Sequence, residues 1–533
     1  MPSSLASIKP TIKSKSTKTP LHSLDDIRHY FANQKSHYYF ISASHFNLMN
    51  LDRWVNHWHH INFIDCFDGN HPAITLPSKA RTPVFESLEA INEFLLGHSE
   101  LVKKIEQERD PECTSKAIFL FFDQHIEALC EQLELEICLP PNQLIKHIDN
   151  KIITTEIGNE AGVSSVPNAI AKVSSYSELM QIAKAYKLGR NLVVQTPFGD
   201  SGKTTFFIES EDDYKLYSAQ IEAEKKVKIM KRIRCAGSAI EACATAAGTF
   251  VGPLLSELIG YKELTPYAGG WCGNELYQQA FSESIRSQAQ QMTEQLGDAL
   301  YKRNYRGYFE VDYLIDLDTG AVYLGELNPR ITGISAMTNM SHFADDTVPL
   351  FLFHLLEYDQ IEITIDPTDY NARSLAEGAK STAGQLIMKH TDPMMKKVLE
   401  APISGVYQFG SDCQLKLKKP SWDRREAHAE NEVFVMRILQ QEEYAYKGAD
   451  MAIVFTNINL QQHDGLTPKA TELINNVHQL FKLRPLNTDE QKLVERYNSA
   501  TSIKGAALAE NTQPHSVGST TNSTLGNAFN DKD

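Results

Sequence analysis

The chain has 533 residues, 42% of them hydrophobic and 22% charged, and carries a formal net charge of −15 at pH 7. That length exceeds a single ordinary core and predicts about two to four domains. The acidic balance argues against nonspecific nucleic-acid binding, and no apolar run approaches the ~20 residues needed to cross a bilayer.

Residues 1–22 are basic and Ser/Thr-rich without an apolar h-region, so they read as a flexible tail and not as a secretory signal. Eight scattered cysteines (Cys66, Cys113, Cys130, Cys138, Cys235, Cys243, Cys272, Cys413) form no CxxC pair. This usage predicts reduced thiols and a cytoplasmic protein, not a disulfide framework or a zinc site.

Residues 37–42 (HYYFIS), 61–67 (INFIDCF) and 117–123 (AIFLFFD) read as buried strands, and a helical pattern runs through 125–135. Strands alternating with helices predict a small parallel α/β unit over 23–145. It carries no GxGxxG, so no dinucleotide site is expected. In WVNHWHH (54–60), His57 and His60 share a face if the segment is helical. No third metal ligand is legible, and an ordinary packed or surface helix is expected.

Ile148-Asp149-Asn150-Lys151 leads into a helix through Ala161, closed by a turn at 162–167, and a second helix covers 177–186. NLVVQ (191–195) reads as a strand that enters TPFGDSGKTT (196–205), after which 206–208 resumes a strand. Small residues there let backbone N–H groups close on phosphate oxygens, and Lys203 adds a point charge. The spacing is not that of a P-loop and no helix follows directly; a plain glycine hairpin is the alternative. VKIMKRI (227–233) is a further strand, and SAIEACAT (238–245) is expected to pair with it in the same sheet. Residues 269–274 read as a second glycine-rich loop, and 283–302 as a helix.

Residues 307–333 read GYFEVDYLIDLDTGAVYLGELNPRITG. Two β-type runs, 308–315 and 321–327, flank the turn former DLDTG. Side chains two apart share a strand face. If 310 or 312 pairs opposite 326, then Glu310, Asp312, Glu326 and Asn328 fall together, with Arg330 beyond. Hard oxygen ligands of this kind suit Mg²⁺ on a nucleotide's phosphates, with an arginine for the remaining charge. A solvated edge hairpin is the alternative reading. An apolar helix follows at 349–357. A third unit covers 370–488, with short strands near 384–388, 404–409 and 452–455 and a helix at 468–480. Residues 491–533 lose hydrophobicity and are expected to be disordered. No internal repeat is evident.

In this order the pieces resemble the ATP-grasp superfamily. The likeness rests on the α/β unit, Lys151, the strand–glycine loop–strand, the hinge strand and the E-x-N-x-R of Glu326-Leu327-Asn328-Pro329-Arg330. It is specific across about 145–345 and architectural elsewhere; biotin carboxylases, carbamoyl-phosphate synthetases and carboxylate–amine ligases are the most similar groups. The resemblance implies an α/β (α+β) class. Its parts are a Rossmann-like pre-ATP-grasp domain at 23–145, an ATP-grasp domain at 146–365 with a lid subdomain about 165–230, and a C-terminal α+β domain at 370–488.

The resemblance also implies ATP with Mg²⁺ or Mn²⁺. It makes Asp312, Glu326 and Asn328 the metal ligands, with Glu310 behind them, and gives Lys151 and Arg330 the transferred phosphoryl group and the acyl substrate. Gly199, Ser201, Gly202, Lys203 and Thr204 match the lid. Lys231, Arg232 and Ile233 match the hinge beside the adenine, and Glu241 a carboxylate near the ribose or phosphates. Two positions depart from the pattern. The strand before the lid usually ends in a second phosphate-binding lysine, and here it ends in Gln195. The hinge glutamate is Lys231, followed by Arg232, and neither cation can accept the adenine amino protons.

The implied activity is a ligase that activates a carboxylate as an acyl phosphate and joins it to an amine or similar nucleophile. Carboxylation through carboxyphosphate, as in biotin carboxylases, and a catalytically weak ATP-binding module are the alternatives. Met388-Lys389 lacks the Ala-Met-Lys-Met context of a biotinyl domain, so attached biotin is not expected. The partners implied are small-molecule carboxylates and amines, with no nucleic acid and no membrane; a homo-oligomer is compatible with the sequence.

Overall fold

The computed structural model describes residues 19–78, 85, 87–199, 204–410, 414–462, 465–492 and 494. An N-terminal parallel sheet runs in the order Ile74–Thr75, Trp58–Asn62, Tyr38–Ser42, Ser115–Phe119, Leu135–Ile137. Its central strands are buried along their whole length, as expected when both faces of a parallel sheet are covered. The helix Gln124–Gln132 starts where the Asp123 side chain accepts from the N–H groups of His125 and Ile126.

The helix expected through WVNHWHH does not form. Leu51–Arg53 is a single 3₁₀ turn, His57 adopts a left-handed φ of 57°, and Trp58–Asn62 lies parallel to Tyr38–Ser42. Pairing between two buried strands outweighs the local pattern here.

A four-stranded antiparallel sheet, Asn168–Ala171, Val227–Lys231, Leu192–Gln195 and Thr205–Ile208, forms the next layer. Its helix Glu211–Ala223 starts on a capping box between Ser210 and Asp213. The pairing expected between residues 227–233 and 238–245 is not made. Cys235–Thr245 instead runs antiparallel to Gly307–Asp316 along nearly its full length, because its second half is buried and needs partners on both sides.

That ladder belongs to an 11-stranded sheet running from Val322–Asn328 through Gly307–Asp316, Cys235–Thr245, Leu255–Ile259, Trp271–Tyr277 and Thr382–Lys389. It continues through Asp450–Thr456, Glu432–Arg437 and Gly405–Phe409 to Leu415–Pro420, and the eleventh strand, Gly248–Val251, pairs with Cys235–Thr245 off this path. The segment 370–488 therefore extends the central sheet and adds a separate three-stranded sheet of Tyr444–Ala445, Lys396–Glu400 and Lys482–Pro485. The glycine-rich stretch 269–274 is also largely strand, beginning at Trp271. Gly273, at φ 146°, lets this strand close on its neighbour: a Cβ there would lie 2.1 Å from the Gln385 carbonyl.

One buried pair ties the N-terminal unit to the central sheet. Lys116 Nζ lies 2.6 Å from Asp359 Oδ1 and donates to the Tyr358 carbonyl at 2.9 Å, while the Tyr38 and Tyr30 hydroxyls donate to Asp359. Among the described residues, no helix is long and apolar enough to cross a membrane.

His45, His60 and His71 pack ring against ring inside the N-terminal unit, with centroids 5.5–6.0 Å apart. Neither nitrogen of His45 meets a partner among the described residues. Burial, then the His60 charge, holds His45 well below the usual histidine range and pushes His71 down to about 4. Folded values below the unfolded one of about 6.5 mean that the stabilisation is complete above that pH and is lost as pH falls towards 4. The denaturant midpoint is therefore expected to drop between pH 7 and pH 5. His45→Leu should flatten that slope while leaving the pH 7 stability within about 1.5 kcal/mol.

Candidate functional site

The hairpin closes at residues 316–320, where Asp316 Oδ1 accepts from the N–H groups of Asp318 and Thr319 and Gly320 takes φ 73°. The register sets Asp312 opposite Glu326 and Glu310 opposite Asn328, with an irregularity after Asp312 that leaves Gly325 out of the pairing. Asn328 Nδ2 donates to Glu310 Oε2 at 2.9 Å and to Asp312 Oδ2 at 3.2 Å, and Arg330 Nη2 donates to Asn328 Oδ1 at 2.9 Å. The Arg330 guanidinium lies 4.7 Å from the Phe121 ring of the N-terminal unit, and its buried Nε has no partner among the described residues.

Lys151 opens the helix Lys151–Ala161, which Asn150 caps. Its N–H donates to the Pro197 carbonyl at 2.9 Å; its ammonium donates to the Gly199 carbonyl at 2.9 Å and pairs with Glu326 Oε1. A Cβ at Gly199 would collide with Thr204, so the loop base needs glycine there. One lysine thus ties the glycine loop to the acidic hairpin.

The carboxylates repel one another in a desolvated space. Glu310 is held well above the carboxylate range by burial, then by Glu241 and Glu257; Asp312 by burial, then by Glu310, Glu257 and Glu326. Glu257, from Leu255–Ile259, is pushed up to about 7 by burial and then by Glu326.

No known family and no curated protein matches the sequence. Solved structures do match. The chain is similar to the biotin carboxylase of Campylobacter jejuni, with TM-score 0.52 and 12% identity over 84% of this chain and 92% of that one. It is similar to the Rhizobium etli pyruvate carboxylase, with TM-score 0.53 and 13% identity over 85% of this chain and 38% of that one. It is also similar to the biotin carboxylase domain of the Hydrogenobacter thermophilus 2-oxoglutarate carboxylase, with TM-score 0.50 and 10% identity over 85% and 92%.

This is the ATP-grasp fold.

Within this ATP-grasp frame the departures at Gln195 and Lys231 acquire a physical account. Gln195 faces Thr205, donating to its hydroxyl at 3.2 Å. Directly opposite it, on Val227–Lys231, stands Lys228, which sequence reading passed over. Lys228 is fully buried; its ammonium lies 3.4 Å from Ser165 Oγ and makes no ion pair among the described residues. Burial, then the Lys151 charge, pulls it down to about 8, against an opposing pull from Glu326. Its signal in the sequence is a cation in phase with Met230 and flanked by Val227 and Ile229, in the apolar part of the strand.

Lys231 and Arg232 point outwards. Arg232 pairs with Glu209 and covers the Phe207 ring at 5.1 Å, and the N–H groups of both residues are taken by the Pro167 and Asn191 carbonyls. Ile233 is half-buried beside them. Ser201, Gly202 and Lys203 lie outside the described residues.

Glu241 stands on Cys235–Thr245, directly opposite Glu310. It is fully buried, and its oxygens accept from the hydroxyls of Tyr308, Ser335 and Thr332, which orders the loop after Arg330. A second group missed from sequence is a row across three strands, Glu257 opposite Asn274 opposite Gln385. Trp271 Nε1 donates to Asn274 Oδ1 at 2.8 Å, and Gln385 Nε2 donates to the Gly333 carbonyl at 2.8 Å. No local pattern joins these residues; the sheet does.

Because like charges are crowded, Glu310→Gln should raise the stability of the protein in a chelating buffer by on the order of 1 kcal/mol. Denaturant melting of the two proteins checks it.

Proposed function

We propose that this chain is an ATP- and Mg²⁺-dependent ligase that activates a small carboxylate as an acyl phosphate and joins it to an amine or similar nucleophile. The observation that carries the reading is the meeting of two lysine ammoniums with a buried carboxylate hairpin around Glu326. Two of the similar structures hold a nucleotide, one of them as MgADP, which supports the same ligands here.

The donor set fits a hard divalent cation. Asp312 and Glu326, opposite each other on the hairpin, offer carboxylate oxygens, with Lys151 paired to Glu326; Asn328, whose amide nitrogen faces Glu310 and Asp312 while its oxygen accepts from Arg330, would add that oxygen by turning its amide over. Mg²⁺ held by these three residues, or Mn²⁺ in its place, supplies neutralisation of the phosphate charge. Lys151 and Lys228 balance the phosphates from the glycine-loop side. Arg330, fixed by Asn328 and backed by Phe121, holds the acyl carboxylate. Glu257 and Gln385, whose Oε1 has no partner among the described residues, offer oxygens to the N–H groups of the nucleophile, with Asn274 holding Gln385 and Trp271 in place. In the reaction a carboxylate oxygen takes the γ-phosphoryl group and ADP leaves. The amine nitrogen then forms the bond to the acyl carbon, loses its proton and expels inorganic phosphate. These side chains contribute positioning and electrostatics.

Turnover of ATP to ADP across a panel of acids with hydroxylamine as trapping amine is expected to give acyl hydroxamates. Asp312→Ala and Glu326→Ala should abolish them; unchanged ATP binding and turnover in both variants would overturn the metal assignment. Bicarbonate-dependent turnover without an amine points instead to carboxylation, and tight Mg-ATP binding without phosphate release to a binding module.

Lys228→Met removes a charge-assisted contact and should weaken Mg-ATP binding roughly 10- to 100-fold. In the wild-type protein, affinity should fall as pH rises past about 8, where the Lys228 ammonium loses its proton. That limb is absent from the variant.

A further inference from the structure

The histidines of WVNHWHH acquire partners that the sequence hid. Tyr39 pairs with His59 in the parallel register, so His37, Tyr39, His57 and His59 line one face of two adjacent strands. Glu108, the last residue of the helix Ser99–Glu108, comes down onto that face. His37 Nδ1 lies 3.0 Å from His59 Nε2, and His59 Nδ1 lies 3.9 Å from Glu108 Oε2. Ligand atoms of His37, His59 and Glu108 all fall within 4.8 Å of one another, and the His57 ring stacks on His37 at 4.6 Å.

We propose that His37, His59 and Glu108 form a binding site for a divalent transition-metal ion of the Zn²⁺ type, with His57 or water completing the coordination. Two imidazoles and a carboxylate are the ligand types such an ion takes. Nitrogens on one tetrahedral ion at ~2.05 Å stand ~3.3 Å apart, close to the present spacing of His37 Nδ1 and His59 Nε2; Glu108, whose nearer contact is to the other nitrogen of His59, would swing its carboxylate to the Nε2 side. Burial lowers the affinity of both rings for protons, His59 to about 4, which leaves neutral nitrogens at pH 7. The other polar contacts on Glu108 are the Tyr39 hydroxyl at 3.2 Å, which orients it, and Lys104 Nζ at 3.5 Å, which must move aside.

The location argues for a structural or regulatory ion. His37 precedes the N-terminal end of Tyr38–Ser42, whereas the chain leaving the other end of that strand reaches the ligase site, where Asn47 Nδ2 donates to the Thr332 carbonyl at 2.7 Å. An ion here fastens the end of helix Ser99–Glu108 to the sheet from the far side.

The test uses the full chain, stripped with chelator and titrated calorimetrically with ZnCl₂ in excess Mg²⁺, which saturates the carboxylate hairpin. One site per chain is expected. His37→Ala and His59→Ala should each weaken it by more than the roughly 10- to 100-fold that losing a supporting hydrogen bond costs, and Glu108→Gln should weaken it less. Co²⁺ should give visible bands of tetrahedral intensity that vanish in His37→Ala. That variant alters a half-buried residue, and its metal-free melting curve reports whether it folds. Zn²⁺ titrations that coincide for wild type and a folded His37→Ala/His59→Ala variant, or a Co²⁺ spectrum identical to the hydrated ion, overturn the proposal.

Discussion

One strand register governs the acidic hairpin: Asp312 opposite Glu326 and Glu310 opposite Asn328. A one-residue slip would send every one of these side chains to the other face. Three devices prevent it. The 316–320 turn is stapled by Asp316, the irregularity at Gly325 fixes the offset, and the long ladder to Cys235–Thr245 locks the inner strand. The register concentrates carboxylates that repel one another out of water, an arrangement that opposes folding unless cations meet it. The apolar layers above and below hold it in place, and Lys151 supplies part of the compensation from within the chain.

The relation of Gln195 to Lys228 illustrates how charge relocates in a sheet. Residues directly opposite on neighbouring strands point to the same face. A lysine can therefore move from the end of one strand to its partner while serving the same space. Residue order along the chain changes; the face that carries the charge does not. The cations Lys231 and Arg232 differ in kind, because they sit where the strand leaves the sheet and turn towards solvent and Glu209.

Periodicity made much of this fold legible. The helix Glu283–Lys302 matches its expected bounds, and the acidic hairpin, the strand Leu192–Gln195 and the helix Lys151–Ala161 stand where their patterns place them. What escaped reading depends on contacts distant in sequence. Residues 238–245 follow a strand closely yet join another sheet, since the chain turns away at 232–234. Lys228, Glu257, Asn274 and Gln385 carry no motif, and only lateral pairing gathers them. The three hydroxyls around Glu241 likewise come from residues 67 to 94 positions further along the chain, beyond the reach of any local pattern.

The Lys116–Asp359 pair has a consequence for how such a chain can be divided. It buries one charge from each unit, and breaking a buried pair from one side costs about 3–5 kcal/mol. Set against a folding stability of about 5–15 kcal/mol, that is a large share, so a change that removes one partner while the seam between the units stays closed weighs on the whole chain. Gene fusion and swapping of the N-terminal unit between relatives are thereby restricted to exchanges that carry a matching partner. The two units are matched to each other at their seam, charge against charge.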